Sequence, residues 1–135
     1  MFNRGRYHPA IDLAAEIGSP VIATTSRQVV ISAGWYGGYG NAVRTKDDQG
    51  RIHLYGHLQS IIAKVGDMLD QRQQLGYLGS TGFSTGPHLH YELKSEDGRP
   101  IDPVTLLFPG LDVAAGYRWT AQDGVMLTAA RRLQP

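Results

Sequence analysis

The amino-acid sequence predicts an all-β fold, a compact antiparallel sandwich or partial barrel, on three observations. Short β-branched or alternating apolar runs recur along the first hundred positions. Turn-forming clusters interrupt them at the spacing of strand–turn–strand architectures, and helical periodicity is hard to find before position 104.

Taken in order, the runs are "PVIATTSRQVVISAGW" (20–35), "NAVRTK" (41–46), "RIHLYGHL" (51–58), "SIIAKVG" (60–66), "QLGYLG" (74–79) and "HLHYELK" (88–94). The clusters "YGGYGN", "KDDQGR", "STGFSTGP" and "SEDGRP" punctuate them, in a chain that holds 17 glycines. "KDDQGR" reads as a hairpin turn in which Gly50 is free to adopt positive φ. From "LDVAAGYRW" onward the texture changes, and the chain ends in the helix-like "GVMLTAARRL". The expected organisation is a domain over residues 1–110 followed by an accessory tail over 111–135.

Composition narrows the functional classes. A length of 135 residues supports one core. The net charge of +1, with both signs interspersed, lacks the basic bias that binding to a phosphate backbone requires, so no nucleic-acid partner is expected. Without cysteine there is no disulfide, thiolate cluster or thiol nucleophile, and a metal site has to use His, Asp or Glu. No apolar stretch approaches the roughly 18 residues of a membrane span, and "MFNRGRYHPA" has no signal-peptide core.

The five histidines concentrate the chemistry. In "STGPHLHYEL" (84–93) the period of a strand puts His88 and His90 on one face, with Leu89, Tyr91 and Leu93 on the other. "HPAID" sets His8 four residues before Asp12, on the same side of either a strand or a helical turn. In "IHLYGHL", His53, Tyr55 and His57 are expected on one face, opposite Ile52, Leu54 and, past Gly56, Leu58. Two histidines and an aspartate meet the requirement of a catalytic zinc for three protein ligands and one open position, and leave other histidines to move protons.

Each element also has a plain structural reading. A lone strand histidine such as His53 is commonly a hydrogen-bonded core residue, any i and i+2 pair shares a face, and Asp12 could cap a turn. "GSTGFSTGP" lacks the Gly-Lys-Ser/Thr ending of a phosphate loop and reads as a tight turn that delivers the His88–His90 strand, with Pro87 fixing the backbone before it. The coincidence of these motifs in a histidine-poor chain favours the metal.

The segments "HPAIDLAAEIGSPVIA", "GWYGGYGNAV", "HLYGHL" and "LGSTGFSTGPHLHYEL", in that order, resemble the signature segments of the lysostaphin-type, or LytM-like, zinc endopeptidases, from about residue 5 to about residue 109. The resemblance implies the antiparallel β-fold of that family, the duplicated hybrid motif, with loops forming a substrate groove. It implies one Zn2+ per chain held by His8, Asp12 and His90, with His57 and His88 as the catalytic pair and Tyr7 as an upstream candidate for stabilising the transition state. One of the pair would act as general base toward a zinc-activated water, and the other would bind the oxyanion. The sequence departs from the family at Ala10 and at Arg72, where glycine is usual.

The substrate so implied is the peptide part of bacterial peptidoglycan, cut in the stem or cross-bridge, with D-Ala to diaminopimelate favoured over Gly-Gly. The expected site of action is the periplasm or cell wall. With no signal peptide in view, the chain is expected to be an excised domain lacking an upstream region, or a hydrolase delivered by a phage or secretion apparatus. Two other classes compete. A non-catalytic module that regulates cell-wall amidases would typically have lost zinc ligands, and a histidine phosphocarrier would lack an aspartate at this spacing.

Overall fold

The computed structural model describes residues 10–103. Nine strands follow one another: β1 (Ala10–Ala14), β2 (Pro20–Ile22), β3 (Gln28–Trp35), β4 (Asn41–Asp47), β5 (Ile52–Ile61), β6 (Met68–Leu69), β7 (Gln74–Leu78), β8 (His88–Lys94) and β9 (Pro100–Ile101), with a single 3-10 turn at Gly37–Tyr39. All pairings are antiparallel and form one sheet that does not close, ordered β1-β8-β5-β4-β3-β6. β7 bridges β5 and β2, and β9 lies along β8. The expected all-β, antiparallel architecture is therefore present. No described helix is long and apolar enough to cross a membrane.

Most of the runs become strands where alternation is clean. "HPAID", for which strand and helix were both open, ends in β1, and Ala10 sits in extended backbone opposite Glu92 that needs no glycine. "SIIAKVG" does not form a strand of its own: its first two residues complete β5, and the rest is a loop leading to β6. In the "KDDQGR" turn Gly50 takes φ +82°, as its position between two strands requires. Arg72, the second departure from the family pattern, is exposed and holds φ +74°, a conformation that glycine adopts without strain.

One face of the sheet carries the core. Ile11, Leu13, Val30, Val43, Tyr55, Leu58, Leu75, Leu78, Leu89 and Tyr91 pack into one buried cluster. Beside it runs a buried polar seam. His53, fully buried, donates from Nε2 to Asp47 Oδ2 (2.9 Å) and accepts at Nδ1 from the Tyr91 hydroxyl (2.6 Å). Thr24 Oγ1 lies 3.1 Å from both the Tyr91 and Tyr55 hydroxyls, and Tyr55 and Thr45 both donate to Gln28 Oε1. Burial disfavours the imidazolium and lowers the His53 pKa despite Asp47, so the ring sits in the seam as a neutral hydrogen-bonding group. The plain reading of His53 as a core residue is the one the structure bears out.

Candidate active site

β8 alternates cleanly, so His88, His90 and Glu92 project from the face opposite Leu89, Tyr91 and Leu93. β1 brings Asp12 directly across from His90. Asp12 Oδ1 lies 2.8 Å from His90 Nδ1 and 3.7 Å from His88 Nε2. The second ring nitrogen of His90, Nε2, donates to Glu92 Oε2 at 2.8 Å, and the Tyr39 hydroxyl donates to the same oxygen at 2.6 Å.

His57 reaches this face by a route the strand period does not anticipate. Strict alternation puts it with His53 and Tyr55 in the interior; the structure instead sets its ring 4.6 Å from that of His88 and 5.7 Å from that of His90, between centroids. Asn41 pairs with Leu58 and Val43 with Tyr55, so Gly56 and His57 together face the single residue Ala42. This bulge, with His57 at φ +63°, shifts the phase of β5 by one residue. Leu58 consequently joins the core rather than the face shared by Ile52 and Leu54. A left-handed non-glycine residue costs about 1–2 kcal/mol, and here a 2.7 Å hydrogen bond from His57 Nδ1 to the Thr81 carbonyl holds it.

The two outer histidines are anchored alike. His88 Nδ1 donates to the Gly86 carbonyl at 2.8 Å, with Ser84 Oγ at 3.3 Å. In each ring the anchored nitrogen carries the hydrogen, which leaves Nε2 as the basic atom. Both anchors come from the loop over 79–87. That loop is locked to the 36–40 loop: Phe83 N–H donates to the Gly38 carbonyl (2.8 Å) and Thr81 Oγ1 accepts from Asn41 N–H (3.0 Å). A Cβ on Gly82 would come within 2.4 Å of Gly40 N, so only glycine permits this approach. The two loops stand as one interlocked rim beside the histidines.

Electrostatics follow from this geometry. Burial disfavours the charged form of His90, but hydrogen bonds to Asp12 and Glu92 outweigh it and raise its pKa to about 9. Burial alone would raise Asp12; the His90 hydrogen bond holds it well below the usual carboxylate range instead. Burial, reinforced by the neighbouring His88 and His90, lowers the His57 pKa. A carboxylate oxygen and an imidazole nitrogen thus converge on one proton, and both are atom types that ligate zinc. The donor set fits zinc. Among the described residues no third His or acidic side chain completes a three-ligand cluster, and His8, assigned that position, lies outside them, as do Tyr7 and the tail over 111–135.

Sequence reasoning passed over Glu92 and Tyr39. Glu92 was legible: it stands two residues after His90, hence on the same face. Tyr39 arrives from a 3-10 turn distant in sequence and carried no local signal. Its ring lies 5.4 Å from that of His90, and burial together with Glu92 pushes its pKa up.

Comparison with known proteins accords with this arrangement. Residues 6–103 match the family described as Peptidase family M23. The chain is 42% identical over 104 residues to the DD-carboxypeptidase/endopeptidase Mpg of Neisseria meningitidis serogroup B, covering 77% of this chain and 24% of that protein. It is 42% identical over 92 residues to lysostaphin of Staphylococcus simulans, covering 65% of this chain and 18% of that one. Among solved structures, the catalytic domain of lysostaphin from Staphylococcus simulans superposes with a TM-score of 0.68 at 35% identity, over 78% of this chain and 81% of that one. A zinc-containing peptidase from Vibrio cholerae superposes with a TM-score of 0.65 at 33% identity, over 75% and 33%. The chain thus spans about a quarter or less of these curated relatives.

Proposed function

The chain belongs to peptidase family M23, and from that premise we propose that it is a zinc-dependent endopeptidase hydrolysing amide bonds in the peptide part of bacterial peptidoglycan, in the periplasm or cell wall. The observation that carries this reading is the meeting, on one face, of the Asp12–His90 pair with two histidines whose Nδ1 atoms are tied to backbone carbonyls. Similarity to lysostaphin and to a DD-carboxypeptidase/endopeptidase supports the substrate class, and the DD-specificity in the latter's name agrees with a bond that follows D-Ala, which we take to be D-Ala to diaminopimelate.

In this reading Asp12 Oδ1 and His90 Nδ1, with His8, hold the metal. Bound there, zinc supplies Lewis acidity and an activated water at neutral pH. The chain's own residues do the rest. Glu92 accepts the Nε2 proton of His90 and so reserves Nδ1 for the metal. Nε2 of either His57 or His88 would accept a proton as general base and later release it to solvent. The other ring, protonated at Nε2 from solvent, would donate to the developing oxyanion and then pass that proton to the departing amine. Its lowered pKa keeps His57 neutral, and so able to accept a proton, at pH 7.

The test is digestion of purified Gram-negative and Gram-positive sacculi by zinc-loaded and chelator-treated protein, with products resolved by mass spectrometry. Zinc-dependent loss of cross-linked dimers, abolished in His57→Ala although zinc still binds, is the expected result. Intact sacculi after treatment with protein shown to hold one zinc would overturn the enzymatic reading in favour of a non-catalytic binding module.

A further inference from the structure

The face that carries the histidines extends sideways into a cationic recess. Arg44 pairs with Leu54, which pairs with Glu92, so all three share that face, with Ser32 beyond Arg44. One row along, Lys94 is paired with Ile52. Tyr36, Tyr39, Arg44, Leu54, Glu92 and Lys94 line a recess of about 60 Å³, room for a few water molecules or a carboxylate group.

Arg44 is set in place before any ligand arrives. Its Nε donates to Ser32 Oγ at 2.9 Å, and its guanidinium carbon lies 4.7 Å from the centroid of the Tyr36 ring, which is itself stacked on Tyr39. These contacts fix the plane of the fork and occupy one of its five donors. Neither Arg44 nor Lys94 forms an ion pair among the described residues, whereas Arg27, Lys46, Arg51 and Arg99 each do. The carboxylate in the recess, Glu92, is already engaged through Oε2 by His90 and Tyr39. Two cations against one committed carboxylate leave a net positive recess with unused donors.

We propose that Arg44 and Lys94 form a subsite for a carboxylate of the peptide substrate, with Arg44 gripping it through its Nη groups. The recess shares Tyr39 and Glu92 with the histidine cluster. Along β8, Glu92 is about 7 Å from His90, and Arg44 lies two strand spacings, about 10 Å, from Glu92. At about 3.3 Å per residue of extended chain, the carboxylate belongs two to four residues from the bond cut. The subsite selects acidic over amidated peptides. It deepens the proposed peptidase reading and rests on it.

The experiment compares muropeptide dimers bearing free carboxylates with the same dimers amidated by carbodiimide and ammonium chloride, by turnover and by calorimetric binding to the zinc-loaded protein. The wild type should favour the free acid about tenfold or more in kcat/KM and in Kd, the range of a hydrogen bond to a charged group. Arg44→Met and Lys94→Met should lower affinity for the free acid toward that for the amidated form, and Arg44→Lys should recover part of the difference. Thermal melts check that the variants fold. Equal affinity of the wild type for both forms, or unchanged preference in Arg44→Met, overturns the subsite. Binding with the predicted preference but no cleavage overturns the peptidase reading and leaves the subsite standing.

Discussion

Replacing Glu92 by Gln keeps the shape of the side chain and removes its charge, and the outcome depends on pH in a way the geometry dictates. In the metal-free protein His90 carries a proton up to about pH 9 because Asp12 and Glu92 both accept from it. Zinc needs that nitrogen unprotonated, so raising the pH from 7 to 9 should tighten zinc binding by about fiftyfold, close to tenfold per unit until the pKa is reached. In the Glu92→Gln variant the His90 pKa falls, and this gain shrinks. At pH 9, where proton competition has fallen to about twofold, the variant lacks the charge-assisted bond that orients His90 and should bind zinc about 10–100-fold more weakly. At pH 7 the two effects oppose each other, and the variant should approach the wild type. Chelator-competition titrations at both pH values provide the measurement. A deficit of the same size at pH 7 and pH 9 would refute the coupling between proton and metal, and no deficit at pH 9 would refute a role for Glu92.

Three further outcomes follow from the fold. Tyr91→Phe removes the short donor to the buried His53 Nδ1 and leaves only the Thr24 hydroxyl at 3.4 Å, so it should destabilise the protein by about 1 kcal/mol in urea unfolding, while activity at low temperature persists; an unchanged midpoint would contradict the buried seam. Asp47 is pushed up by burial but held down to a pKa of about 2 by hydrogen bonds from His53 and Arg51. Its contribution is therefore present above the unfolded value near 4 and lost as pH falls toward 2, so Asp47→Asn should lose less stability than the wild type between pH 5 and pH 3. Arg72→Gly relieves a left-handed arginine, a gain of about 1–2 kcal/mol offset by about 0.5–1 kcal/mol of glycine entropy, and should raise the urea midpoint slightly; a lower midpoint would mean the arginine makes a compensating contact.

Much of the site was legible because it depends on local geometry. The period of two along "HLHYEL" alone puts His88, His90 and Glu92 on one face and Leu89, Tyr91 and Leu93 on the other, whatever the rest of the chain does. The turn at Gly50 was legible for the same reason. The loop over 62–67 was not, since the apolar residues of "SIIAKVG" match a strand pattern, whereas Ile62 and Ala63 both turn their N–H groups to the single Leu75 carbonyl and so leave the ladder.

The sequence by itself determined the antiparallel β-class, the shared face of His88 and His90, and the residue types available to a metal. Tertiary structure decided which histidines meet. His57 joins His88 only because a bulge opposite Ala42 turns it over and the Thr81 carbonyl, 24 residues away, holds it there, while His53, with equal claim by alternation, is drawn into the core by Asp47 and Tyr91. Periodicity is a property of one strand. The phase of a bulge, and the carbonyl that tethers a strained ring, belong to strands and loops brought together by folding.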